Sequence, residues 1–254
     1  MTLSHDVAGD GPTLVLLHST VCDRRMWDPQ LPALTAAGYR VVRCDLRGFG
    51  DSPMPDRPYN NADDVAELLD ALGVERAALV GASGGGRVAL EFAARMPQRT
   101  AALALLCTAV ADHEPGEQLR AFGDEEDTLL EAGDVAAATE LNVTAWIGPQ
   151  ADDATRELVR TMQRHAFEVQ LAPGEEHGSV KHPVDHTVIT APALLVSGEH
   201  DFADFTDIAV RLSKEIAGSR HVHLDWAGHL PSMERPEDVN AVLVAFLREA
   251  FPAV

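Results

Sequence analysis

The stretch Ala77-Ala78-Leu79-Val80-Gly81-Ala82-Ser83-Gly84-Gly85-Gly86, continued by Arg87 to Met96, reads as an apolar strand, a tight turn and a helix with Ser83 at the apex. A G-x-S-x-G turn in this setting is a nucleophile elbow, in which the serine holds a strained backbone conformation at the carboxyl end of a parallel strand. Gly81 and Gly85 stand two residues to either side of Ser83 and lack the Cβ atoms that would collide where strand and helix converge. The helix amino terminus directs free N–H groups and its positive dipole end at the space above the hydroxyl, where negative charge develops in acyl transfer. A glycine-rich phosphate loop is the competing reading. No lysine follows the glycines and no G-x-G-x-x-G is present, so neither the Walker nor the dinucleotide pattern fits.

Outward from this turn, strands and helices alternate. Thr13 to His18 is a continuous apolar run, as expected of a central strand buried on both faces. Tyr39 to Cys44 and Ala101 to Cys107 read as further strands, and a minor strand is expected at Leu3 to Val7, before the turn cluster Gly9-Asp10-Gly11-Pro12. One helix is expected near Met26 to Ala37, with Pro29 and Pro32 at its start. A second runs to Leu72, with Asn61 or Asp63 as its cap and Gly73 as its stop. Such alternation implies a parallel sheet covered on both faces.

The alternation breaks over 112–187, an acidic, alanine-rich segment with helical patterns near Glu125 to Glu131, Val135 to Trp146 and Ala154 to Val169. It reads as a helical cap inserted after the sixth strand, with Ala172 to His186 as the hinge back, because a structureless loop of that length is improbable inside a compact domain. The sheet resumes at Ala193 to Ser197 and His221 to Leu224, with helices at Thr206 to Ile216 and Glu237 to Phe251. The expected division is a core of 1–111 and 188–254 and a cap of 112–187.

Of the 254 residues, 40 are acidic and 20 basic, a net charge of −20 that disfavours nucleic acid and anionic membrane surfaces as partners. The three cysteines are too scattered for a disulfide framework or a zinc cluster. No basic-then-apolar leader precedes Leu14 and no apolar run approaches membrane-spanning length, so a soluble, cytoplasmic protein is expected. Monomer and homodimer both stay open.

Asp201, in Gly198-Glu199-His200-Asp201, and His229, in Gly228-His229-Leu230-Pro231, each follow a core strand, so they converge with Ser83 at one edge of the sheet. A serine hydroxyl needs a base to take its proton; His229 is placed for that and Asp201 would fix its tautomer. A histidine in such a loop is otherwise a surface or hydrogen-bonded residue. Glu199, Asp204, Asp207 and Asp112 compete with Asp201 as the acid. An oxyanion needs two N–H donors, expected from the backbone of Gly84 and of Thr20. His18 reads as structural. Ser19, Cys22 and Trp146 are candidate pocket residues; Cys22 has no histidine partner in its motif, so it is read as a small pocket side chain. His221 and His223 alternate on a strand at a metal-binding spacing, but no acidic or cysteine set accompanies them, and no metal is expected. His165, His177, His182 and His186 default to surface positions.

Five motifs in order carry a resemblance: Leu16-Leu17-His18, Asp45-Leu46-Arg47-Gly48-Phe49-Gly50-Asp51-Ser52, Gly81-Ala82-Ser83-Gly84-Gly85, Gly198-Glu199-His200-Asp201, and Gly228-His229 with Glu234-Arg235-Pro236. With the order nucleophile, acid, histidine, the chain resembles the α/β-hydrolase superfamily over nearly its whole length outside the cap. His18-Ser19 and Met26 to Leu34 look most like 3-oxoadipate enol-lactonases and the small esterases around them. The resemblance implies an α/β-hydrolase fold, a mostly parallel central sheet with helices on both faces and an inserted helical cap. It also implies a cofactor-free serine hydrolase of a small carboxylic ester or lactone, acting through an acyl-enzyme on Ser83. Aspartate-nucleophile branches are disfavoured by serine at position 83. Carbon–carbon bond hydrolases, perhydrolases, cyclases and slow-turnover ligand-binding homologues share the same three residues and stay open as alternatives.

Overall fold

Whole-run burial is what places the central strands. The computed structural model describes residues 3–172 and 177–253. The chain opens with β1 (His5–Ala8), β2 (Thr13–Leu17), α1 (Leu31–Ala36), β3 (Arg40–Cys44), α2 (Asn61–Ala71), β4 (Ala77–Ala82), α3 (Gly84–Arg95) and β5 (Thr100–Leu106). Helices α4 (Glu117–Glu131), α5 (Val135–Trp146) and α6 (Asp153–Gln170) follow. The sheet then resumes with β6 (Ala193–Gly198), α7 (Ala203–Glu215) and β7 (Arg220–Leu224), and the short α8 (Pro231–Glu234) leads into α9 (Pro236–Ala250). Every residue of β2, β4, β5 and β6 is buried, the signature of strands covered on both faces. The order is β1-β3-β2-β4-β5-β6-β7, with β1 antiparallel to β3 and all other neighbours parallel. The reversal between β2 and β4, where the chain turns from building one side of the sheet to building the other, is the position at which α/β sheets bind ligands.

Several boundaries differ from the sequence expectation. The edge strand sits at His5–Ala8, not Leu3 to Val7. The helix expected over Met26 to Ala37 is two pieces, a 3-10 turn at Arg24–Trp27 capped by Asp23, then α1; Pro29 and Pro32 supply no backbone N–H where one continuous helix would need it. The cap of α2 is Asn60, whose extended backbone and Oδ1, accepting from Asp63 N at 3.0 Å, do what Asn61 or Asp63 was expected to do. Asn60 Nδ2 also donates to Glu91 and to the Val180 carbonyl, tying the helix start to the returning chain. The α4–α6 insertion follows the fifth strand, not the sixth, and α4 begins eight residues before its expected start of Glu125. In the returning segment, Tyr59 bridges to Ser179; residues 173–176 of the expected hinge lie outside the described residues. Among the described residues, no helix is long and apolar enough to cross a membrane.

Candidate active site

Ser83 ends β4 and starts α3 with φ +51° and ψ −117°, a conformation costly for a residue with a Cβ. It is held by three backbone bonds: its N–H donates to Leu106 O at 3.0 Å, and its carbonyl accepts from Arg87 N and Ala109 N, each at 3.1 Å. The two flanking glycines are required by backbone approach. A Cβ on Gly81 would stand 2.6 Å from Gly85 O, where α3 passes over β4; one on Gly85 would press on the Leu17 carbonyl and stand 2.5 Å from His18 O. The second glycine therefore makes room for the end of β2, a reason beyond the strand–helix convergence expected.

Asp201 and His229 meet as the chemistry requires. His229 Nδ1 lies 2.7 Å from Asp201 Oδ2, both side chains almost wholly buried, and Asp201 Oδ1 accepts from Phe202 N at 2.8 Å. The carboxylate therefore favours a proton on Nδ1 and leaves Nε2 as the basic nitrogen. The imidazole is gripped by rings on two sides, with Trp146 at 4.4 Å and Phe205 at 4.2 Å between centroids, and the His229 N–H donates to Trp146 O at 3.2 Å. Glu234 fixes the same loop from beneath: both carboxylate oxygens accept from Gly228 N, at 3.1 and 3.0 Å, and Oε1 accepts from Leu230 N at 3.3 Å. Burial pushes the Glu234 carboxyl up against the pull of those N–H groups.

Ser83 and His229 line one cavity of about 370 Å³, together with Ser19, Thr20, Gly84 and Trp146. Among the described residues, neither the Thr20 nor the Gly84 N–H has an acceptor, and the Thr20 methyl rests against Gly84, 2.5 Å from where a Cβ would stand. A larger cleft of about 770 Å³ runs between Arg24, Asp51 and α6, away from Ser83. Its cations are neutralised in place, Arg24 by Asp45 and Asp51, Arg160 by Glu140 and Glu157, and Arg164 by Glu168.

A family model described as alpha/beta hydrolase fold matches residues 12–236. The chain belongs to the α/β-hydrolase fold family. It is 30% identical to the pimeloyl-[acyl-carrier protein] methyl ester esterase of Aeromonas hydrophila, over 97% of this chain and 100% of that one. To 3-oxoadipate enol-lactonase 1 of Acinetobacter baylyi it is 28% identical, over 97% and 93%. The crystal structure of the enol-lactonase from Burkholderia xenovorans superposes with a TM-score of 0.80 at 27% identity, covering 96% of each chain. The chain is thus an α/β-hydrolase whose relatives include esterases and lactonases.

Other expected residues fall differently in this α/β-hydrolase. Cys22 does not line the Ser83 cavity: the turn closed by Cys22 N and Ser19 O points its thiol into the core, 3.9 Å from Met233 Sδ, where burial pushes the thiol well up. His221 and His223 share the hydroxyl of Ser197, at 2.8 and 2.9 Å, and His223 Nε2 lies 2.9 Å from Glu199. Among the described residues, the one group of three with ligand atoms close enough for an ion is Cys107, Asp201 and His229. Burial and the Asp201 charge push that thiol well up, so the cysteine is a poor thiolate donor. His165 binds Gly50 O and His186 binds Glu215. The sequence reading did not single out Arg87, Glu126, Asn142, Gln163 or Phe205 as lining residues; their periodicity marked only helices, and no local signal says which helical face meets Ser83.

His18 is structural in a way that makes stability depend on pH. Its Nδ1 donates to Ser19 O at 2.8 Å and its Nε2 accepts from Leu46 N at 2.9 Å, which requires the neutral ring. Burial pushes its pKa below the ordinary 6.5, against the upward pull of the Ser19 carbonyl, Asp45 and Asp23. The unfolded chain then binds a proton that the folded chain does not, so this contribution is complete above about pH 6.5 and shrinks as pH falls below it. Urea unfolding at stepped pH is expected to show stability falling from pH 7 toward 5, with a shallower slope in His18→Gln protein. Equal slopes would discount the histidine.

Proposed function

We propose that this α/β-hydrolase cleaves a small carboxylic ester or lactone through an acyl-enzyme on Ser83. The observation that carries the reading is a serine held at φ +51° on a helix N-terminus, lining the same cavity as a histidine whose Nδ1 is engaged by a buried aspartate. Ser83 Oγ attacks the carbonyl carbon while His229 Nε2 takes its proton, and Asp201 stabilises the resulting imidazolium. The carbonyl oxygen becomes an oxyanion, received by the N–H groups of Gly84 and Thr20. Collapse breaks the bond to the alcohol oxygen, which leaves with the proton from His229; in a lactone it stays attached to the acyl chain. Water, deprotonated by His229, then attacks the acyl-enzyme, and the acid and Ser83 are released.

Labelling with a fluorophosphonate, located by mass spectrometry of tryptic peptides, tests the nucleophile. One adduct per chain on the Ser83 peptide is expected, none on Ser83→Ala protein, and parallel loss of 4-nitrophenyl butyrate hydrolysis. A folded protein that leaves Ser83 unlabelled would refute the reading and favour a binding role.

A further inference from the structure

On the wall that α4, α5 and α6 present to the Ser83 cavity, the donors of Trp146, Asn142 and Gln170 are engaged within the protein. Trp146 Nε1 donates to Asn142 Oδ1 at 2.9 Å; Asn142 Nδ2 donates to Glu126 Oε1 and to Ala138 O; Gln170 Nε2 donates to Gly48 O at 3.1 Å. Gln163 stands apart from this chain of bonds. Its side chain lines the cavity, the residue is only 4% exposed, and its Oε1 is buried with no donor among the described residues. An amide oxygen removed from water and left unpaired is costly, and native proteins seldom tolerate one without a use for it. Glu126 lines the same wall, where its Oε1 accepts from Asn142 Nδ2. The rest of the lining combines Val21, Phe49, Phe122, Phe167 and Phe205 with the polar residues Ser19, Thr20 and Arg87.

We propose that this wall is a subsite for a hydrogen-bond donor on the substrate, an N–H or O–H group on the acyl chain, with Gln163 Oε1 as its acceptor and Glu126 as a flanking one. The inference deepens the ester and lactone reading and rests on it for the position of the scissile carbonyl at Ser83. A site built to receive a donor discriminates strongly against an analogue lacking it, because the buried acceptor is then left unpaired in the complex, whereas aromatic walls distinguish methylenes only weakly. Specificity therefore draws on the polar contact from α6, with the aromatic walls measuring length.

Isosteric ester pairs test this. The 4-nitrophenyl esters of N-acetyl-β-alanine and N-acetyl-4-aminobutyrate are compared with those of 5-oxohexanoate and 6-oxoheptanoate, in which CH₂ replaces N–H. The N–H member of at least one pair is expected to have a kcat/KM higher by roughly tenfold to a hundredfold. In Gln163→Met that ratio is expected to fall toward one, while Gln163→Glu, which keeps an acceptor, retains it; thermal melts establish that each variant is folded. A wild-type ratio near one at both lengths, or a preference that survives in Gln163→Met, overturns the proposal. If no ester is turned over and Ser83 resists phosphonate, the hydrolase reading fails separately. Calorimetric binding of the methyl ester of N-acetyl-β-alanine against methyl 5-oxohexanoate to Ser83→Ala protein then decides the subsite alone, with tighter binding of the N–H compound expected and equal binding overturning it.

Discussion

Asp201→Asn protein is expected to fold like the wild type and to lose about ten-thousand-fold in kcat on 4-nitrophenyl butyrate, a loss of about 5 kcal/mol of transition-state stabilisation. The carboxylate accepts from His229 Nδ1 at 2.7 Å with both side chains almost completely shielded from water, where a charge-assisted bond is stronger than in solvent. Asparagine fills the same space and can keep the bond from Phe202 N, but its amide can offer an N–H to Nδ1. The ring then carries its proton on Nε2, facing the serine, and cannot take another. KM should change little, since Asp201 is not among the cavity-lining residues. Steady-state kinetics with circular dichroism on the same samples checks this. Activity within tenfold of the wild type would show that another group serves as the acid. The rivals with described partners are engaged elsewhere: Glu199 with His223, Asp204 with His113 and Gly116 N, and Asp112 with Arg211.

What could be read in the chain beforehand is what local chemistry announces. Gly81, Ser83 and Gly85 specify a turn by steric demand alone, and continuous apolar runs such as Leu14 to Leu17 specify strands with two covered faces. Asp201 and His229 followed from their places after such strands. Contacts between segments far apart in sequence were not legible. Asn60 takes the cap of α2 because it also binds Val180, 120 residues away, which no neighbour of Asn60 reveals. Cys22 was expected at the pocket because it follows the β2 loop, yet the Ser19–Cys22 turn directs it onto Met233, 211 residues away. Gln163 belongs to a helix whose pattern was legible, but an apolar stripe says which face is buried and not that one polar member of it lines the same cavity as Ser83. The apolar pattern thus located the helices, and the polar groups that line the cavity came only from their packing.

Arg47→Met is expected to lower the stability of the fold by roughly 3–5 kcal/mol, since removing one partner of a buried pair leaves the other charge uncompensated. Arg47 donates through Nε to Asp64 Oδ2 at 2.8 Å and through Nη2 to Asp64 Oδ1 at 2.6 Å, a two-pronged contact with side chains only 6% and 8% exposed. The neighbouring carboxylate pushes the guanidinium pKa further up, so the pair stays ionised on the arginine side across the accessible range. For a chain of this size the loss corresponds to a melting temperature lower by about 10 °C. The Arg47→Met/Asp64→Leu double variant should regain most of it, because an apolar pair of similar volume leaves no buried charge; if the double variant is as unstable as the single one, packing and not charge is the cause. The same pair anchors the loop after β3 to α2, and that loop reaches the site by two routes: Leu46 N bonds His18 Nε2, and Phe49 lies edge-on to the His18 ring at 5.0 Å while lining the Ser83 cavity. Loosening it should therefore raise KM for long acyl esters before it lowers kcat, because the wall moves while Ser83, His229 and Asp201 keep their own supports from β4, β6 and the loop after β7.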